Sequence, residues 1–409
     1  MDLLYKNGKD MTYAASIAST WIWAPALFVS SSMAYLNGLI GFLWFFLPNV
    51  LTLVLFGWLT QKYVPETGYT VGSLFEDMKM QKMLHQIVSV ILLVCSTCVQ
   101  FIALDMIVNM FIPVNIYVST IIVGLLCFAY IYYGGIKLCI QSDAWKYIIL
   151  ALSGIFLVIS MLFNGNASVS EIFRNIHWFG INNPNFISIS LSFGIITAIG
   201  LLSAPYVDNT FWQRAYSMGK EKRYSIHLKS AWMFGLVPLM FGLLGFIGTA
   251  GITDTAWNIT KLFEGNLLLQ IVFLVAAFST LIATIDSNMC ALNSLTYKEF
   301  NFKNDKLPIP ILMIGLPMLI IFIFHPSIVD MFLVYGTIRT AIALPTIMKM
   351  FGCYSRNRLF IGTLLAVLIG GIGYIWCAID GNGYGWCYTV FALLFPLIGY
   401  RKSAGNVTA

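Results

Sequence analysis

Long apolar runs alternate with short polar ones from residue 12 to residue 400. Each run is close to the ~20 residues that a helix needs to cross the hydrocarbon core of a bilayer. The alternation predicts twelve helices, at 12–36, 38–61, 84–111, 114–133, 143–163, 187–211, 229–252, 266–297, 308–324, 327–349, 358–379 and 384–400. The third and eighth are longer than a perpendicular crossing requires, so they should tilt or protrude. The predicted fold class is an all-α membrane protein of about twelve transmembrane helices.

Composition agrees. Hydrophobic residues make up 59% of the 409 and charged ones 10%, against about 25% charged in ordinary soluble domains. Nothing along the chain marks off a soluble domain, so 1–409 reads as one transmembrane unit. The basic residues orient it. With the N-terminus in the cytoplasm, all but Arg174, Lys261 and Arg339 of the 23 Lys and Arg fall on the inner side, as the bias of cytoplasmic loops requires. Both termini are then cytoplasmic. The short polar stretch before residue 12 does not read as a cleavable leader, and the plasma membrane (the inner membrane in a bacterium) is the expected location. A net charge of +6, dispersed over several inner segments, suits anionic lipid and predicts no nucleic-acid binding. The scattered histidines, with no metal-ligand spacing, phosphate loop or nucleophile elbow, exclude the common enzyme classes. No obligate protein partner is predicted.

The eight cysteines are scattered, most of them inside apolar runs. Cys95 and Cys98 sit mid-helix and read as small packing residues. Cys377 and Cys387 flank one short loop and would bridge if that loop faces an oxidising space. Sequons begin at Asn166 and Asn258, in the outer loops 164–186 and 253–265.

Candidate chemistry lies inside the helices. The first is rich in small and hydroxylated residues from Tyr13 to Trp23 and then meets Pro25. Proline removes a backbone donor and clashes with the preceding turn, and carbonyls freed at mid-membrane can coordinate a cation. A plain kinked packing helix is the alternative. Trp21 and Trp23 lie deep enough to line a cavity, though they could instead face lipid. The sixth helix carries Gly194, Gly200, Ser203 and the Ala204-Pro205 step, a second breakable point. Paired interruptions in two halves of opposite orientation mark transporter binding sites. In the eighth helix Thr280, Thr284 and Ser287 share one face, with Asp286 to its side. An intramembrane carboxylate suggests an ion or proton path, and oxygen ligands suit a hard cation; a packing network of hydroxyls is the alternative. Asp105 and Arg339 are the other charges inside helices. They could pair, or Arg339 could meet an anionic substrate or Asp286. Asp143 follows the Gly134-Gly135 turn, where it would cap the fifth helix or sit near a cation.

Three stretches resemble the sodium:solute symporter family, whose members share the LeuT-type inverted-repeat fold. They are Ala14–Pro25 with Ser30-Ser31-Ser32-Met33-Ala34-Tyr35, then Tyr133-Gly134-Gly135-Ile136-Lys137 with Ser142-Asp143, and Ala283–Phe300 with Asp286-Ser287 and Tyr297-Lys298-Glu299-Phe300. Phe211-Trp212-Gln213-Arg214-Ala215 is a weaker match. The resemblance implies a five-helix repeat over 12–163, an inverted one over 187–349 and two further helices over 358–400. It implies a sodium ion between the first and eighth helices, held by the carbonyls of Ala14, Ile17 and Thr280 and the hydroxyl of Thr284. Ala283 departs from the family pattern, having no hydroxyl; Asp286, Ser287 and Asp143 are the expected compensation. The Trp-x-Trp-Ala run and Trp212-Gln213 are similar to the urea-transporting branch. A sodium-coupled carrier of a small polar solute follows, with Trp21, Trp23, Asp105, Ser203 and Arg339 at the solute. Proton coupling through Asp105 or Asp286, or a solute sensor on a transporter scaffold, are the rivals.

Overall fold

The computed structural model describes residues 3–163, 176–179, 185–248, 259–302, 306–381 and 383–402. The sequon asparagines Asn166 and Asn258, and Arg174, lie outside these residues. Among the described residues the chain is built from helices and turns: α1 (Asp10–Trp21), α2 (Ala24–Tyr63), α3 (Lys79–Val108), α4 (Ile116–Phe163), α5 (Phe186–Tyr206), α6 (Asn209–Ser217), α7 (Arg223–Gly248), α8 (Leu267–Lys298), α9 (Pro308–Phe324), α10 (Ile328–Phe351), α11 (Arg356–Asp380) and α12 (Gly385–Gly399). Eight of them are long and apolar enough to cross a membrane: α2 to α5, α7, α8, α10 and α11.

Their outer faces are apolar. On α2, Leu47, Leu51, Leu55 and Trp58 form an exposed stripe at helical spacing, and α4 exposes Ile148, Leu152, Ile155 and Ile159 in the same way. Water does not tolerate such continuous patches, whereas lipid tails do. The polar side chains point inward, so this is a multi-pass membrane protein.

The first predicted helix is broken in two. It departs from helical geometry at Ile22 (φ −82°, ψ 79°) and Trp23 (φ −96°, ψ 176°), and α2 restarts at Ala24 with Pro25 in its first turn. Proline suits that position, because the missing N–H is one that a helix start leaves unused. Two carbonyls of α1 lose their ordinary donors as a result. Pro25 has no N–H for Trp21, and the Ala24 N–H is taken by Gln100 Oε1 at 3.1 Å instead of by Thr20.

The predicted boundary between residues 36 and 38 is a kink at Gly38, and the expected loop 134–142 is one at Gly135. Their angles (φ 67°, ψ −161° and φ 55°, ψ −157°) fall in a region open essentially to glycine alone. Past Gly38, the freed N–H groups of Leu39 and Ile40 donate to the carbonyls of His177 and Trp178 at 2.9 and 3.2 Å. Past Gly135 the helix resumes at once. The capping expectation for Asp143 is thereby overturned: a single glycine suffices for the turn, so Asp143 stands mid-helix and fully buried. Cys377 and Cys387 are not joined in a disulfide.

Where α5 meets α10, Gly200 lies against Gly336; a Cβ on Gly200 would come within 2.7 Å of the Gly336 Cα. This approach sets α10 close beside α5. On the other side, Phe56 packs edge-on against Tyr206, Phe211 and Trp212 and wedges α2 against α6.

Gly38→Ala should destabilise the protein by about 1–3 kcal/mol from backbone strain alone, and further because its Cβ would sit 2.6 Å from the His177 carbonyl oxygen. Thermal unfolding in detergent measures this, with Gly265→Ala, which carries positive φ but has open space around it, separating strain from clash.

Candidate functional site

Two buried charged clusters adjoin α1. The first lies on its regular part. The Asp143 carboxylate accepts from the Ser16 hydroxyl at 2.6 Å and from Arg214 Nη2 at 2.9 Å, and pairs with Lys146 at 3.3 Å. The Lys146 ammonium also meets Asp286 of α8 in a short contact. Arg214 donates to Ser16 at 2.9 Å, to Ser287 at 2.8 Å and to the Thr210 carbonyl at 3.0 Å. Thr20 and Ser287 share a hydrogen bond at 3.1 Å. Asp143, Asp286 and Arg214 are fully buried. Two carboxylates thus meet two cations, and the formal charge sums to zero.

This balance bears on the predicted metal set. Asp143, Asp286 and Ser287 do come together, and with Cys139 the acids form a group whose candidate ligand atoms lie within 4.8 Å of one another. Three of their four oxygens, however, are already bound by the protein's own ammonium or guanidinium, and the fourth, Asp286 Oδ1, accepts from the Cys139 thiol at 3.5 Å. A further cation there would meet two like charges and a thiol, a soft ligand that hard cations do not favour. The acids therefore do not fit as free sodium ligands.

Of the other predicted metal residues, two flank Ser16, the hydroxyl partner of Asp143. Ala14 and Ile17 lie in the regular part of α1, short of its break, and are fully buried. Thr284 donates its hydroxyl to the Thr280 carbonyl one turn back, at 3.1 Å, and lines a cavity at the break.

That cavity holds the second cluster. It is lined by Thr20, Trp21, Trp23, Ser96, Asp208, Thr210, Phe211, Thr284, Asn288 and Arg339. Its free volume of about 10 Å³ is room for roughly one water, so the site is closed. Arg339 of α10 pairs with Asp208 at 3.3 Å and is in short contact with the Tyr335 hydroxyl, which donates to the same carboxylate at 3.0 Å. The other Asp208 oxygen accepts from the Thr210 N–H at 3.1 Å and its hydroxyl at 2.8 Å. The guanidinium lies 3.4 Å from the Tyr335 ring centroid, 5.4 Å from that of Trp23 and 5.5 Å from that of Trp21.

Closure differs on the two sides. Above the cavity, Phe332 packs against Trp23, Phe45 and Phe193, a single aromatic layer. At the face where α1 begins, polar contacts accumulate. Tyr13 donates to the Ser217 carbonyl at 3.1 Å, Lys222 pairs with Asp10 at 3.1 Å, Glu299 binds Lys82 at 2.9 Å, and Asp77 binds Lys349 at 2.6 Å.

The predicted solute residues divide. Trp21, Trp23 and Arg339 share the cavity. Ser203 is buried at the end of α5, where the helix tightens into a 3₁₀ turn, and does not line it. Asp105 stands near the C-terminal end of α3 and accepts from Asn109 at 2.8 Å. The suggested pairing of Asp105 with Arg339 is corrected: the partner of Arg339 is Asp208. Lys146 and Arg214, assigned to cytoplasmic segments by charge counting, serve instead as internal counter-ions. Asp208, Lys146, Arg214 and Tyr335 are the residues the sequence reading missed. Asp208-Asn209-Thr210 is a helix N-cap signature, and Tyr335 and Arg339 stand one turn apart.

The sequence matches no family profile and no curated relative. Solved structures do match. A Na⁺-coupled sialic acid symporter in a substrate-bound outward-open state aligns with a TM-score of 0.75 at 15% identity, over 96% of this chain and 89% of its own. Mhp1, a nucleobase-cation-symport-1 family transporter, in a closed conformation with bromovinylhydantoin bound, aligns with 0.64 at 15% identity, over 95% and 91%. MhsT in complex with L-phenylalanine aligns with 0.58 at 13% identity, over 97% and 100%. The chain has the LeuT-type transporter fold, in agreement with the fold the sequence motifs implied.

Asp143→Asn should cost about 3–5 kcal/mol by leaving buried positive charge uncompensated. Asp143→Asn with Arg214→Gln should cost less than the sum of the single changes, by about 1–3 kcal/mol. Thermal unfolding of the four proteins in the cycle reads the coupling directly.

Proposed function

We propose that the chain is a secondary active transporter of the sodium:solute symporter family, moving a small polar solute by alternating access. The observation that carries this reading is the closed cavity at the break of the first helix, where a paired arginine and two indoles meet the Thr284 hydroxyl and the Asn288 amide of α8. Such a site, sealed on both sides, is what a carrier needs midway through its cycle. Twelve crossings with both termini in the cytoplasm, inverted repeats over 12–163 and 187–349, and a location in the plasma or bacterial inner membrane belong to the same reading. The kinks at Gly38 and Gly135 support the crossing count, since each divides a helix too long for one span.

Sodium is the proposed coupling ion, between α1 and α8. The carbonyls of Ala14, Ile17 and Thr280 and the hydroxyl of Thr284 are its proposed ligands. Asp143, Asp286 and Ser287 are withdrawn from that role by their bonds to Lys146 and Arg214. An ion that binds the outward-open state better than the inward-open one shifts the population by that difference. A second reading, proton coupling, is favoured by the Lys146–Asp286 contact, an ammonium and a carboxylate held together out of water.

Sodium should raise the melting temperature of the purified protein relative to choline at fixed pH and ionic strength, saturably and by a few degrees. Thr284→Ala should abolish the rise and weaken sodium-dependent uptake into liposomes. Uptake that follows a pH gradient in choline, with no sodium effect, would give the second reading. Solute binding without uptake under either gradient would make the protein a sensor.

A further inference from the structure

We infer that the cavity recognises a small, uncharged, carbonyl-bearing solute of the amide, urea or lactam type, its oxygen accepting from Trp23 Nε1–H and Arg339 Nε–H. The inference rests on the reading of this cavity as the transport site.

The first observation is a pair of unused donors. Trp23 Nε1 and Arg339 Nε have no hydrogen-bond partner, each side chain is only 2% exposed, and both residues line the cavity. Buried polar groups are almost always satisfied, and each exception calls for an explanation. Both of these are N–H donors, so the missing partner is an acceptor. A carbonyl oxygen has two lone pairs and can take both bonds.

The second observation sets the charge. Arg339 and Asp208 cancel. One Asp208 oxygen is engaged by Arg339 and Tyr335 and the other by Thr210. The carboxylate has no call for a cationic solute, and the guanidinium is already neutralised. An anion entering here would give up its hydration without finding an unpaired counter-charge, and burial of such a charge is costly. A cation fares no better. The aromatic faces that would attract it already hold the Arg339 guanidinium, within 5.5 Å of Trp21 and closer to Trp23 and Tyr335. An uncharged acceptor disturbs neither balance.

The third observation is size and shape. The cavity is closed around about 10 Å³ of free space, so its walls must part to admit even a small solute. Two indoles and a guanidinium are among those walls, and a small planar amide requires the least parting of them.

Isosteric pairs test the assignment on the full-length protein in detergent, by thermal unfolding at constant ionic strength. Urea is compared with guanidinium, and acetamide with acetate, at millimolar concentrations; 2-pyrrolidone is added as a cyclic amide. The expected result is a saturable rise of about 2 °C or more with at least one neutral compound and none with either ion. That rise is lost in Trp23→Phe, which removes the N–H, and kept in Trp232→Phe, an exposed control. A rise with acetate or guanidinium, no rise with any neutral compound, or a rise that survives Trp23→Phe overturns the inference. If Trp23→Phe does not fold, the ion-against-neutral comparison on the unaltered protein decides alone. Uptake into liposomes separates this from the function itself. Neutral compounds that bind but are never transported leave the inference standing and remove the transporter reading. Transport of a charged solute does the reverse.

Discussion

The Asp143 carboxylate is the point on which the interior depends. It ties α4 to α1 through Ser16 and to α6 through Arg214, and Lys146 and Arg214 extend the link to Asp286 and Ser287 on α8. Burying ions costs several kcal/mol each, repaid only when geometry and hydrogen bonds are good. Here one charge is shared among four elements, so none of them can shift without leaving another ion unsatisfied. The cluster therefore acts as a fixed hub. The break at Ile22–Trp23 lies just beyond it, where aromatic packing surrounds a second, smaller ion pair.

That change in the kind of contact runs through the whole molecule. On one side of the cavity the closure is a layer of rings around Phe332. On the other, hydrogen bonds and ion pairs join the N-terminal segment, α3, α6, α8 and α10, and several must break together. Arg339 and Asp208 sit between the two closures. Their pair joins α10 to the start of α6 at the cavity.

Much of the fold was legible because lipid imposes a simple rule. Apolar runs near 20 residues long mark spanning helices, and the observed helices follow them. The turns were less legible. A single glycine in a region closed to other residues replaces a loop at 134–142, and hydropathy has no signature for it; the Gly134-Gly135 pair was the only hint. At the site, Trp21, Trp23 and Arg339 could be found because polar or indole-bearing positions stand out within apolar runs. Asp208 and Arg214 could not, because residues near helix ends are ordinarily exposed, and Lys146 could not, because its position resembled the start of a helix rather than the middle of one. Their burial depends on which helices meet, and that is a tertiary fact. Asp105 shows the converse. A charge near the end of an apolar run looked internal and instead stands near its helix end, held by a neighbour one turn away.

Each of the two buried clusters is neutral as a whole: Asp143 and Asp286 against Lys146 and Arg214, and Asp208 against Arg339. A charge moved across a membrane field exchanges about 2.3 kcal/mol per 100 mV. Rearrangements that keep these pairs together move no net protein charge through that field. Membrane voltage then finds no net charge to pull on in either cluster.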